Sequence, residues 1–180
     1  MKTTQTKLGP LQRGVSLLEM LIVMAVCVIL VGAAAPSLRK SIERHRLESA
    51  TAQLETELQF ARSLAIASNR NVRFSFQANT AQSCYVIHTG AANACQCEGA
   101  STVCTAGATA IRSVSFDSGS GLRGTSNSAS FLFDPAKGTV TPTATLEMRN
   151  AQGDVLRLVI NIMGRVRSCT STGMLGYKNC

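Results

Sequence analysis

Residues 20–35 are all apolar or small, without a break, and a single carboxylate, Glu19, stands at the head of the run. Extended back to Val15 as a helix rising about 1.5 Å per residue, the segment is roughly 30 Å long, enough to cross a bilayer. A cleaved secretory signal has a similar outline: basic residues, an apolar stretch, then the small residues Ala33, Ala34 and Ala35. Pro36 would follow that cut directly, which ordinary signal cleavage tolerates poorly. Glu19 bears on the same question, because a carboxylate at mid-membrane costs about 2.5 to 3.5 kcal/mol on insertion scales. It needs either headgroup depth or a partner.

Beyond Pro36 the pattern becomes one-sided. Leu47, Ala50, Leu54, Leu58, Ala61 and Ala65 recur at steps of three and four, which predicts an amphipathic helix. Leu38 and Ile42 join that face only through a phase slip near His45, so a bend or solvent exposure is expected there. Asn69 is the expected stop. Short strands are predicted over residues 72–76, 84–89, 111–116, 130–133, 144–149 and 155–162. Residues 89–110 and 117–129, rich in Gly, Ala, Ser and Thr, read as long surface loops. The last two strands can be registered, because a hairpin loop from Asn150 to Asp154 sets Arg149 opposite Val155. Met148 then faces Leu156, Leu146 faces Leu158 and Ala144 faces Ile160, while Glu147 meets Arg157 on the other side.

The chain has 180 residues, room for one ordinary domain plus an anchoring segment. It is 45% hydrophobic but only 4% aromatic, so its core must be built from Val, Ile, Leu, Ala and a few Phe. Six of the seven cysteines, Cys84, Cys95, Cys97, Cys104, Cys169 and Cys180, lie beyond the apolar run, and Cys27 lies inside it. An even number fits disulfides in an oxidising compartment. A zinc site is the competing reading of the first four, but paired zinc ligands sit two to four residues apart and no second such pair follows. A Cys95 to Cys97 bridge is implausible, so Cys84 pairs with one of these two and Cys104 with the other. Cys169 and Cys180 can close the carboxyl-terminal loop.

The segment Arg13, Gly14, Val15, Ser16, Leu17, Leu18, Glu19 resembles the prepilin peptidase site of type IV pilins and type II secretion pseudopilins. Val15 stands where that family usually has Phe or Met. The resemblance implies a cut after Gly14, N-methylation of the new amine on Val15, and neutralisation of that amine by Glu19 of a neighbouring subunit in a filament. It also gives Pro36 the place of the kinking proline of pilin helices. Further along, residues 61–66 (Ala61 to Ile66), residues 133–138 (Phe133 to Gly138) and the stretch Gly164, Arg165, Val166, Arg167 look like the GspH/FimT family of minor pseudopilins and pilins. The fold implied is α+β and type IV pilin-like, a long N-terminal helix packed on antiparallel β-sheets. The divisions expected are a leader over 1–14, a transmembrane and filament-core helix over 15–35, its amphipathic continuation over 36–69, and an extracytoplasmic β-rich head over 70–180.

The implied function is a minor pilin that initiates or caps a type IV pilus, with a type II secretion pseudopilin as the alternative. Expected partners are other pilins or pseudopilins, the prepilin peptidase and the bacterial inner membrane, crossed once with the carboxyl-terminal domain in the periplasm. Flanking charge does not orient the span, since Lys2, Lys7 and Arg13 precede it while Arg39, Lys40, Arg44 and Arg46 follow. The cysteines and the resemblance do.

Formal net charge is +8, and removing Lys2, Lys7 and Arg13 with the leader leaves 15 basic residues against 10 acidic. From Arg149 onward, Arg149, Arg157, Arg165, Arg167 and Lys178 face Asp154 alone. Strand alternation would turn Arg165 and Arg167 to one side, where paired guanidiniums bind phosphates. In FimT-like members such a Gly-Arg-x-Arg stretch is implicated in binding DNA during natural transformation. Arg165, Arg167 and Lys178, with Tyr177 nearby, are therefore the candidate site for double-stranded DNA; two solvated arginines guarding an edge strand are the plainer reading. An enzyme is not expected: neither His45 nor His88 lies in a catalytic motif, His88 falls in a strand, and the sequence has no phosphate loop or acidic metal cluster. No cofactor or metal is expected.

Overall fold

The computed structural model describes residues 14–79, 82–99 and 101–180, so the expected leader, Gly14 excepted, lies outside the described residues. The chain divides into two units, Met1–Arg39 and Lys40–Cys180. Helix α1 (Leu17–Ser68) contributes to both.

In the first unit the helix begins at Leu17, two residues later than expected. Ser16 caps it: the Glu19 amide donates to Ser16 Oγ at 3.1 Å and the Met20 amide to the Ser16 carbonyl at 3.2 Å. Leu18, Ile22, Val26, Ile29 and Leu30 are all exposed. A helix that is apolar all round and buried in nothing of its own chain calls for lipid or other helices. Its length and composition suffice to cross a membrane.

In the second unit, Leu47, Ala50, Leu54, Leu58, Ala61 and Ala65 form the buried stripe of α1. Ile42 is 44% exposed, which resolves the expected phase slip in favour of solvent exposure. The helix ends in a Schellman arrangement: Asn69 adopts φ 50°, its amide donates to the Ile66 carbonyl, and the Arg70 amide donates to the Ala65 carbonyl.

Eleven strands follow among the described residues: β1 (Val72–Ala78), β2 (Gln82–His88), β3 (Cys95–Glu98), β4 (Ser101–Cys104), β5 (Ala110–Asp117), β6 (Leu122–Ser126), β7 (Ser130–Phe133), β8 (Val140–Thr141), β9 (Ala144–Asn150), β10 (Val155–Ile160) and β11 (Val166–Thr170). They form a five-stranded sheet in the order β5-β2-β1-β7-β8, a four-stranded sheet β11-β10-β9-β6 and the hairpin β3-β4. All described pairings within these sheets are antiparallel. The β9–β10 register is the expected one, from Arg149 opposite Val155 to Ala144 opposite Ile160.

The helix stripe and one face of each larger sheet share a single core. The five-stranded sheet supplies Phe74, Tyr85, Phe131 and Phe133, with Phe74 stacked on Tyr85 at 5.1 Å and on Phe131 at 5.0 Å. The four-stranded sheet supplies Leu146, Met148, Leu156 and Leu158. With so few aromatics available, their concentration in one stack is what gives this core its bulk.

Two segments expected to be loops carry strands. Residues 117–129 contain β6, whose inward positions are Leu122, which enters the core, and Gly124, a glycine where alternation calls for a second apolar side chain. A Cβ on Gly124 would lie 2.6 Å from Phe76 Cζ, so the glycine lets β6 reach the five-stranded sheet, where its amide also donates to Ser83 Oγ at 2.9 Å. Residues 89–110 contain the β3–β4 hairpin. Cys84 is bonded to Cys97 and Cys95 to Cys104, so the four thiols that a zinc site would need are consumed. Gln77 on β1 adds a clamp, its amide nitrogen donating to the Cys95 carbonyl and its oxygen accepting from the Cys97 amide. The expected strand over 155–162 also stops short, at Ile160, because residues 161–165 form a tight turn into β11.

Candidate functional site

The four-stranded sheet presents a cationic outer face. Alternation turns Arg123 and Thr125 of β6, Thr145, Glu147 and Arg149 of β9, Arg157 and Val159 of β10, and Arg167 of β11 away from the core. Glu147 is the one carboxylate among these residues. It accepts from Arg157 Nε at 2.8 Å and from Arg149 Nη2 at 3.1 Å. Burial pushes its carboxyl up, but the hydrogen bonds and charges of Arg157 and Arg149 outweigh that and hold it below the usual carboxylate range. Arg123 and Arg167 meet no carboxylate among the described residues. The face therefore keeps uncompensated positive charge at both edges of the sheet.

Arg165 sits differently from Arg167. Strand β11 begins only at Val166, so the expected alternation does not extend back to Arg165. Arg165 belongs to the β10–β11 turn, closed by its amide donating to Asn161 Oδ1 at 2.9 Å and by its carbonyl accepting from the Asn161 amide at 3.2 Å. Together with Arg62, Ser63 and Ile66 of α1 it lines a groove of about 360 Å³. Arg167 stands on the outer face opposite Val159.

Three stretches far apart in sequence meet beside this groove. Arg62 Nε donates to the Gly138 carbonyl at 2.9 Å. A Cβ on Gly164 would lie 2.6 Å from that same carbonyl oxygen and 2.8 Å from Arg62 Nε, and Gly164 has φ +71°. A glycine is required there for both reasons. The Gly-Arg-x-Arg stretch thus opens on a packing residue, and its first arginine is aimed by that packing.

The carboxyl-terminal tail is tied back to β11 by the Cys169–Cys180 disulfide, with the Thr170 amide donating to the Lys178 carbonyl at 2.9 Å. Lys178 is exposed beside Thr170, which lies five residues beyond Arg165, or about 17 Å at strand rise. Tyr177 does not join the arginines. It packs against the core, where burial and the nearby Glu48 and Glu55 push its phenol pKa up.

Neither Arg62 nor Arg123 was among the site residues expected from sequence. The signal for Arg62 was the agreement of three short motifs, read as resemblance rather than as contact; Arg123 lay in a segment read as loop.

A family model for the type II transport protein GspH matches residues 50–164. A second, for the prokaryotic N-terminal methylation motif, matches residues 10–35, spanning Gly14, Val15 and Glu19. The GspH match stops at Gly164, just short of Arg165 and Arg167. Two crystal structures of the type IV minor pilin FimU from Pseudomonas aeruginosa PAO1 have similar folds. One superposes with a TM-score of 0.54 at 20% identity, over 75% of this chain and 96% of that one. The other gives 0.51 at 19% identity, over 72% and 98%. No protein of curated function matches significantly.

Proposed function

Since this chain belongs to the GspH family of type II transport proteins, we propose that it is a minor pilin that primes or caps a type IV pilus. The observation that carries the reading is the start of α1, where Gly14, the cap on Ser16 and Glu19 precede an apolar helix that its own chain does not bury. Prepilin peptidase cuts after Gly14 and the amine of Val15 is N-methylated. Residues 15–35 hold the subunit once in the inner membrane, with the disulfide-bonded part in the oxidising periplasm, until the helix is transferred into the filament. Pro36 marks the end of that helical core. There Glu19 neutralises the amine of a neighbouring subunit and sets its register.

The Glu19 amide is also the donor that Ser16 Oγ caps, so backbone effects of replacing Glu19 must be separated from loss of its charge. Glu19→Gln keeps the capping geometry and removes the charge. Both Glu19→Ala and Glu19→Gln should abolish filaments counted by electron microscopy, because an unpaired buried amine costs about 3–5 kcal/mol. Normal assembly of Glu19→Gln overturns the charge-pairing role. A type II secretion pseudopilin is the alternative, mechanically the same object; deletion then blocks protein export and leaves surface pili intact.

A second reading is favoured by the cationic sheet face, where Arg123, Arg149, Arg157 and Arg167 surround or flank Glu147. Arg165, Arg167 and Lys178 bind double-stranded DNA through its phosphates, as a receptor in natural transformation. Few aromatics are exposed to stack on bases, so sequence preference is weak.

A further inference from the structure

We propose that the groove between the last turns of α1 and the β10–β11 turn is an anion site that takes one backbone phosphate of DNA, held jointly by Arg62 and Arg165. The proposal rests on the DNA-binding reading and adds to it a residue from α1.

Gln59, Arg62, Ser63 and Arg165 bring the polar side chains to the groove, while Ile66 and Val166 form its apolar walls. Gln59, Arg62 and Arg165 offer donors, the Ser63 hydroxyl donates to the Phe60 carbonyl at 2.9 Å instead, and none of the lining residues is acidic. The volume of about 360 Å³ is at the small end of the range for ligand pockets. Arg62 is half-buried and fixed through Nε on the Gly138 carbonyl. Its terminal nitrogens meet no acceptor among the described residues, and the Arg165 side chain meets none either. A guanidinium immobilised by one bond with its remaining donors free is already ordered for a tetrahedral oxyanion, so binding loses less side-chain entropy. Gly164 makes the approach possible, since a side chain there would push the turn off Arg62. The apolar walls suit the sugar that flanks a phosphodiester.

The shared site makes a countable prediction. The slope of log binding constant against log salt is about 0.9 per neutralised phosphate. The full-length chain in a zwitterionic detergent is titrated with a short labelled DNA duplex across a salt series. Arg62→Gln, Arg165→Gln and the double variant should each lower the slope by the same amount, about one unit. Arg167→Gln, outside the groove, should lower it further when added. Gln59→Glu leaves the Arg62 bond to Gly138 in place and puts a carboxylate in the groove; it should weaken binding roughly tenfold at low salt. Thermal midpoints identify any variant that fails to fold. A double variant that loses about two units means separate phosphates and overturns the shared site. Unchanged binding in Arg62→Gln and Gln59→Glu, with Arg167→Gln weakened, overturns the groove while the DNA reading stands. No binding by the unaltered chain even at low salt removes both.

Discussion

His88 is fully buried on β2, with Nδ1 3.0 Å from the Thr89 carbonyl and Nε2 2.8 Å from Ser75 Oγ. A carbonyl can only accept, so Nδ1 carries the proton and Nε2 accepts from the serine hydroxyl in the neutral ring. Burial pushes the imidazole pKa below its ordinary 6.5; the backbone bond to Thr89 opposes this and the charge of Arg73 adds to it. The unfolded chain therefore binds the proton more readily than the folded one. His88 stabilises the fold fully above about pH 6.5, and that contribution is lost as pH falls below it. The urea midpoint should drop as pH falls from neutrality towards 5, and His88→Gln should flatten that dependence. Glu147, also held below its ordinary value, adds a loss of the same sign in a more acid window, below about 4.5. An undiminished pH dependence in His88→Gln assigns it to another group.

At the scale of elements, the carboxyl-terminal tail works as a strap. Met174 enters the core, the Leu175 carbonyl accepts from Arg44 Nη2 at 2.6 Å, and the Cys180 amide donates to the Thr170 carbonyl at 3.1 Å. These contacts tie β11, an edge strand of the four-stranded sheet, to α1. The Cys169–Cys180 bridge closes a short loop, and a bridge of that span contributes about 3 kcal/mol in the chain-entropy account. Replacing both cysteines by alanine should lower unfolding free energy by about that amount and speed hydrogen exchange at the Thr170 amide. Exchange at Leu158, in the centre of the sheet, should change only through the global loss. Unaltered exchange at Thr170 would mean that the Met174 and Arg44 contacts hold the tail without the bridge.

At the scale of the whole molecule, the two units are subject to different solvents. Lys40–Cys180 buries an apolar core of its own, whereas the large apolar residues of 17–35 stay exposed and require lipid or neighbouring helices. On the function proposed above, the subunit enters its filament only after its leader is removed. Coexpression with prepilin peptidase should shorten the chain by the leader's 14 residues, measured as intact mass, and leave an N-methylated Val15. Gly14 has open space around its Cα, so Gly14→Val alters the proposed peptidase site without disturbing packing. That variant should keep the leader and the same unfolding midpoint. Cleavage at the alanines before Pro36 instead would make the apolar segment a secretory signal and remove the filament reading.

Periodic features are legible in the sequence. The step of three and four from Leu47 to Ala65 marks a buried helix face, alternation across Ala144–Asn150 and Val155–Ile160 marks a half-buried hairpin, and Asn69 stops the helix because it tolerates a left-handed backbone. Such signals are local, since a repeating environment leaves a repeating choice of residues. Strand β6 left no such trace, because Gly124 takes an inward place where alternation calls for an apolar side chain, and only the approach of Phe76 explains it. Strands β3 and β4 are held by two disulfides and by Gln77 rather than by an apolar face, and the choice of Cys97 for Cys84 rests on how that hairpin lies against β2. The groove depended most on tertiary structure: Arg62, Gly138 and Gly164 meet only because α1 and the β10–β11 turn pack together. Sequence by itself determined which faces are buried and where the chain turns; which distant residues then touch was decided by the packing of those faces, because contact between remote segments imposes no period on either.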